Sequence, residues 1–259
     1  ITCRDWSSDV CSSDLTNIST GTSASTIKFS ESAQTNTVQY CYLKGSSLNT
    51  AGGVLLFSTS SAGTGNDNNT IENCYLTADD AGRPRNMVYS AGTPSRENSG
   101  NLINNNIFYD FLNKGGSSAG ISLNASTTAW SITDNNFYES ASVVPTGAGT
   151  FYVININNTS GNSFVITGNN IGGRDISCGG AAWDKTNANN NIFYGIYLNV
   201  GTSAASSIQN NTIKNFTWAN SGLAAWYGIN IAGGAINIGT TTGNDIGDDT
   251  TTGSIVLTG

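Results

Sequence analysis

Apolar positions along this chain recur in two alternating units, separated by stretches rich in Asn, Ser, Thr and Gly. The first unit is clearest at Ile103, Asn104, Asn105, Asn106, Ile107 and Phe108. It consists of an apolar residue, a variable one, two small or amide residues, another variable one and a second apolar residue. It returns at Val38–Leu43, Ile71–Leu76, Ile132–Phe137, Ile166–Ile171 and Ile208–Ile213, with a degenerate copy at Thr241–Ile246; successive starts lie 33, 32, 29, 34, 42 and 33 residues apart. Between these copies lies the second unit, as in Gly53–Phe57, Met87–Tyr89, Gly120–Asn124, Tyr152–Ile156, Gly195–Asn199, Gly228–Ile231 and Ser254–Leu257. Here apolar and polar residues alternate at period two, the pattern of a half-buried strand. Self-similarity at this period marks a repeat architecture. Each repeat carries at least two short strands, too few to close a core alone, so stacking at the strand spacing must bury a continuous interior. The fold predicted is all-β, a parallel β-helix of about seven coils.

The fourth position of the first unit is held by Cys41, Cys74, Asn106, Asn135, Asn169 and Asn211, and then by Asn244. A corner between strands needs a residue near the left-handed region, and among residues with a Cβ asparagine tolerates it best. Stacked in register, these amides are also expected to hydrogen-bond from coil to coil as a ladder. Cys41 and Cys74 then form a thiol stack. In-register Cβ vectors run parallel, which works against a disulfide between them, and the sequence suggests no partner for Cys178.

Composition narrows the picture. Charged residues are 10% of the chain, there is no histidine, and the formal net charge is −7. Asp5–Leu15, DWSSDVCSSDL, resembles the in-frame translation of a short-read sequencing-library adapter. Residues 1–15 are therefore expected to be an unpacked artefact, and 16–259 a truncated, metagenome-type β-helix fragment open at both ends. Without residues 1–15, nine basic and fourteen acidic side chains remain, a net charge near −5. Helix formers are scarce, while β-branched and aromatic residues are too regular for a disordered chain. No apolar run is long enough to span a bilayer as a helix, and no Lys/Arg cluster offers a nucleic-acid footprint.

The segments IENCYL, LINNNIF, SITDNNF, VITGNNI and SIQNNTI resemble the asparagine-turn repeats of right-handed parallel β-helices in the pectate-lyase-like superfamily. The Asn-, Ser-, Thr- and Gly-rich flavour, with GNDIGDDTTTGSIVLTG at the end, resembles long β-helix proteins that Bacteroidetes-type bacteria secrete or display. The resemblance covers Thr16–Gly259 and implies a right-handed coil and a secreted or cell-surface location. The superfamily holds lyases, hydrolases, adhesins and proteins without activity, so the function expected is a non-catalytic, adhesin-like scaffold touching polysaccharide or cell-surface glycan through its loops. The alternative is a polysaccharide lyase or hydrolase.

The hydrolases of this superfamily pair aspartates with a histidine, which this chain lacks. The lyases set acidic calcium ligands beside a basic residue. The nearest match is Asp79-Asp80 followed by Arg83 and Arg85, with Arg83 or Arg85 as base if the chain is an enzyme. Calcium wants six to eight oxygens, and this loop offers two carboxylates, so a solvated turn with an internal ion pair is the plainer reading. Asp245, Asp248 and Asp249 are a second, sparse place for calcium. The longest spacing contains an insertion at Arg174–Asn190, in which Trp183 flanked by Asp184 and Lys185 is a candidate sugar-stacking platform; the competing reading folds Trp183 back over the coil. Trp130, Trp218 and Trp226 adjoin strand units and read as packing residues.

Overall fold

The computed structural model describes residues 14–21, 24–79, 82–250 and 254–259. Three long sheets, of eight, seven and seven strands, run the length of a right-handed parallel β-helix. Each coil supplies one strand to each sheet, as in Leu55–Phe57, Thr70–Glu72 and Tyr75–Ala78. The sheets are called here the Leu55, Val38 and Tyr42 sheets. All their pairings are parallel because every coil returns in the same direction, as in Ile71 beside Ile103 and Leu76 beside Phe108.

The first sequence unit is thus two strands with a corner between them, and a full coil has three strands. The inner face of the Val38 sheet stacks Val38, Ile71, Ile103, Ile132, Ile166 and Ile208, all buried. Opposite them stand Leu43, Leu76, Phe108, Phe137, Ile171 and Ile213, with Phe108 and Phe137 stacked at 4.7 Å. The Leu55 sheet closes the triangle through Leu55, Val88, Ile121, Ile154 and Ile196. Burying each such side chain stabilises the coil by roughly 1.5–3 kcal/mol.

The corner chemistry differs from expectation. The left-handed residue is the one before the amide: Tyr40, Asn73, Asn105, Asp134, Gly168 and Asn210 have φ of 57, 55, 50, 56, 69 and 53°. The amide itself turns inward. The backbone N–H and Nδ2 of Asn106 both donate to Asn135 Oδ1 (2.9 and 3.0 Å), and Asn135 repeats this to Asn169 at 3.1 and 3.0 Å. Each Nδ2 also donates back to the preceding coil, as from Asn135 to Ile103 O at 2.9 Å. The ladder runs on through Asn211 to Asn244. At its other end Cys74 N–H donates to Asn106 Oδ1 (2.9 Å) and Cys41 N–H to Cys74 Sγ (3.4 Å), so a thiol takes the acceptor's place. Both cysteines are buried thiols.

Two further amide columns were not read from the sequence. Asn36, Asn69 and Asn101 repeat the same double donation at the entrance to the Val38 sheet, and Asn66 donates to Asn98 one corner away. In later coils the register of the first column passes to Trp130, Phe164 and Ser206; ring packing takes the place of the amide at Trp130 and Phe164, while Ser206 Oγ accepts the Phe164 N–H at 3.1 Å.

Three boundaries also move. Residues 1–13 lie outside the described residues, but Asp14 and Leu15, expected to be unpacked, open the strand Asp14–Asn17 beside Tyr42–Gly45. In the last coil Ile238, not Thr241, stands opposite Ile208, and a longer turn leads to Asn244. Ile255–Thr258 joins Phe216–Ala219 and Trp183–Lys185 in a separate three-stranded sheet, not the Leu55 sheet, because its register partners are Phe216 and Trp218. Among the described residues no helix is long and apolar enough to cross a membrane.

Candidate ligand groove

Loops leaving the Tyr42 sheet rise along one flank of the coil. With the outward side chains of the sheet they enclose an open groove of about 930 Å³, lined by Tyr42, Lys44, Asp79, Arg83, Tyr109 and Lys114 among others. Period-two alternation places these phenols outside, since Leu43, Leu76 and Phe108 between them point in. Tyr42 stacks on Tyr75 at 5.4 Å and Tyr109 on Tyr138 at 5.5 Å.

The wall is held by one cation that crosses three coils. Arg83 Nη2 meets Asp110 Oδ1 at 3.3 Å, and Nη1 donates to Glu139 Oε2 and to Leu112 O. Asp110 also accepts from the N–H and Oγ of Ser140, at 3.0 and 2.6 Å. Glu139 is fully buried and accepts the Leu112 N–H at 2.8 Å. Burial pushes its carboxyl up to about 7, against the pull of the Arg83 charge. The sequence placed Asp79, Arg83 and Arg85 on one coil; that the same arginine reaches the next two coils was not legible, because the loops differ in length.

Arg83 and Arg85, named as bases for an enzyme, are both engaged as donors. Arg85 Nη1 donates to Ser117 O at 2.8 Å. Asp79 caps its own turn by accepting the Gly82 N–H at 3.2 Å and Ser46 Oγ at 3.2 Å, while Asp80 lies outside the described residues. At the second acidic group, Asp248 pairs with Lys214 at 2.8 Å and accepts from Thr250, which holds its carboxyl well below the usual carboxylate range. Among the described residues no three His, Cys, Asp or Glu side chains come together to hold a metal ion.

Of the two readings of Trp183, its burial agrees with the ring folded against the coil and not with an exposed platform. Trp183 is fully buried, stacked on Phe216 at 5.2 Å and edge-on to Phe111 and Phe193. The triplet is the strand Trp183–Lys185, so Trp183 and Lys185 share the inner side while Asp184 faces outward and pairs with Arg174. Lys185 is also fully buried; its Nζ shares three N–H donors among four acceptors, Asn187 O (2.8 Å), Asn220 Oδ1 (3.0 Å), Asn189 O and Ala219 O, pinning the loop that follows. Burial pulls this ammonium down to about 8. Trp218 packs inside as read, donating Nε1 to Asn191 O at 3.3 Å.

Compared with family models, curated proteins and solved structures, the chain matches none.

Proposed function

We propose that this chain is a non-catalytic module of a bacterial secreted or surface β-helix protein, kin to the pectate-lyase-like superfamily, whose groove contacts glycans. The observation that carries this reading is the spending of charge. Arg83 is held by Asp110 and Glu139 and Lys44 by Asp14, so most of the groove's cations are engaged, and phenols stand beside Asp79 and Lys114 to meet a ligand. Polar groups set around aromatic side chains in an open cleft suit sugars, which present hydroxyls at the edge of apolar C–H patches. The lyase or hydrolase alternative needs an acid or base that touches substrate. Glu139 has a suitable proton affinity but lies wholly beneath Arg83.

The test is a glycan array with the wild-type chain and with Tyr109→Ala and Lys114→Ala, run beside an activity screen on acidic and neutral polysaccharides with and without calcium. Binding that both substitutions weaken, with no turnover, is the expected result. Calcium-dependent unsaturated product that disappears in the folded Arg83→Ala, Arg85→Ala double variant overturns it in favour of the enzyme.

A further inference from the structure

Among the described residues the fully buried charged side chains are Glu139 and Lys185, and of these Glu139 alone has an ion-pair partner. Lys185 faces uncharged oxygens and a ring instead. Its strand lies in register with Phe216–Ala219, which sets Lys185 beside Trp218, with Nζ 5.8 Å above that ring. Asn220 follows directly, and its Oδ1 stands 3.0 Å from Nζ. The same oxygen accepts the Asn191 N–H at 3.1 Å, while Asn220 Nδ2 donates to Ala224 O at 2.9 Å and to Asn191 O at 3.3 Å. Turning this amide over would set its NH2 against two donors, so its carbonyl is fixed towards the lysine.

A lysine desolvated in apolar surroundings is a nucleophile once it loses its proton. Burial alone moves the Lys185 ammonium, and moves it down to about 8. The free amine keeps two N–H groups for the loop carbonyls and gains a lone pair. The carbon nearest to hand for that lone pair is Asn220 Cγ, bonded to the Oδ1 that Nζ already contacts. The Asn191 N–H is placed to stabilise the charge that develops on Oδ1 as the carbonyl is attacked.

We propose that Lys185 and Asn220 form an intramolecular isopeptide bond that staples two neighbouring coils. The Nζ lone pair attacks Cγ and the C–N bond forms. A proton then passes from Nζ to Nδ2, the Cγ–Nδ2 bond breaks, and ammonia leaves. Nothing is oxidised or reduced, and the protein becomes one ammonia lighter. With a backbone N–H rather than a carboxylic acid polarising the carbonyl, the step is slow. The bond joins residues 35 positions apart, so it also restrains the unfolded chain as other cross-links do.

The experiment is mass spectrometry of the intact protein and of its proteolytic peptides, on wild-type protein held folded at pH 6 and at pH 9. Lys185→Met, Asn220→Asp and Lys214→Arg are treated alike, with circular dichroism as the check on folding. Asn220→Asp matters most, because it keeps the shape of the site while its carboxylate holds Lys185 as the ammonium. The expected result is a species one ammonia lighter and a branched peptide joining Lys185 to Asn220. It should accumulate about a hundredfold faster at pH 9 than at pH 6, as the share of free amine does. A branched peptide already present on isolation supports the proposal equally. Lys214→Arg should form the bond as wild type does, and neither Lys185→Met nor folded Asn220→Asp should form it. Folded wild-type protein that keeps its full mass through prolonged incubation at pH 9 overturns the proposal. So does an ammonia loss that maps to an asparagine without a branch.

Discussion

At the residue scale the amide rungs have a cost that is simple to state. Asn135 is buried, accepts two bonds from Asn106 and donates to Ile103 O and Asn169 Oδ1. Asn135→Ala leaves several buried polar groups unpaired, and each such group costs about 1–3 kcal/mol. Chemical denaturation should show a loss of about 3 kcal/mol or more, and a smaller loss for Asn135→Cys, because cysteine already serves as a rung at Cys41 and Cys74. Those two thiols are 0% and 1% exposed. They should resist a thiol reagent in the native protein and react only on unfolding, since buried thiols are inert; rapid native labelling of both would contradict their placement. The recurring amide was visible in the sequence, but its job was not. The corner's left-handed residue is its neighbour, whose identity varies from Tyr40 to Gly168, so no single residue type announced it.

At the element scale, the groove wall depends on a loop arginine binding carboxylates from the two following coils. Glu139 in the folded protein has a pKa of about 7 against an ordinary 4.5, so the folded state holds an extra proton between those values. Its contribution to stability is therefore full below about pH 4.5 and is lost as pH rises through 7, on the order of 3 kcal/mol in all. Arg83→Ala should be far more damaging at pH 8, where it strands a buried charge at a cost of about 3–5 kcal/mol, than at pH 5, where the carboxyl already carries its proton. Denaturation curves at the two pH values check this, and Glu139→Gln should flatten the pH dependence. A cost for Arg83→Ala that is equal at both pH values would sink the argument. The acidic and basic residues of these loops were all legible, whereas the pairings were not. Loop spacings of 32, 29 and 34 residues do not reveal which side chains stand side by side.

At the scale of the whole molecule, the coil is a stack whose interior is continuous, and among the described residues of these 259 its last turn is the more exposed. Ile231, Ile238, Ile246 and Leu257 are between 38 and 51% exposed, whereas their equivalents one coil earlier, Leu198, Ile208, Ile213 and Trp218, are almost wholly buried. Bare apolar rungs beside unpaired strand edges template association. The chain as it stands should form soluble aggregates, and Ile238→Thr/Ile246→Thr/Leu257→Thr should reduce them with little change in the circular dichroism spectrum. Light scattering distinguishes the two proteins, and a β-rich spectrum without a helical signature checks the fold itself.

The sequence by itself determined the all-β repeat, its period, the inward apolar columns and the line of rungs, because each rests on local periodicity that any stacked coil must express. It did not determine which outward residues meet. Trp183 had two readings, a platform or a ring folded back over the coil, and it is core, since alternation along Trp183–Lys185 sends Trp183 inward and the flanking strand supplies Phe216 to cover it. The tyrosine pairs of the groove, the Asn36–Asn69–Asn101 column and the triad of Arg83, Asp110 and Glu139 join residues about 30 to 40 positions apart at most steps, and 56 for Arg83 and Glu139. Contacts of that range depend on the register between coils. Register is set by the packing of the whole interior, and so only the tertiary structure decided it.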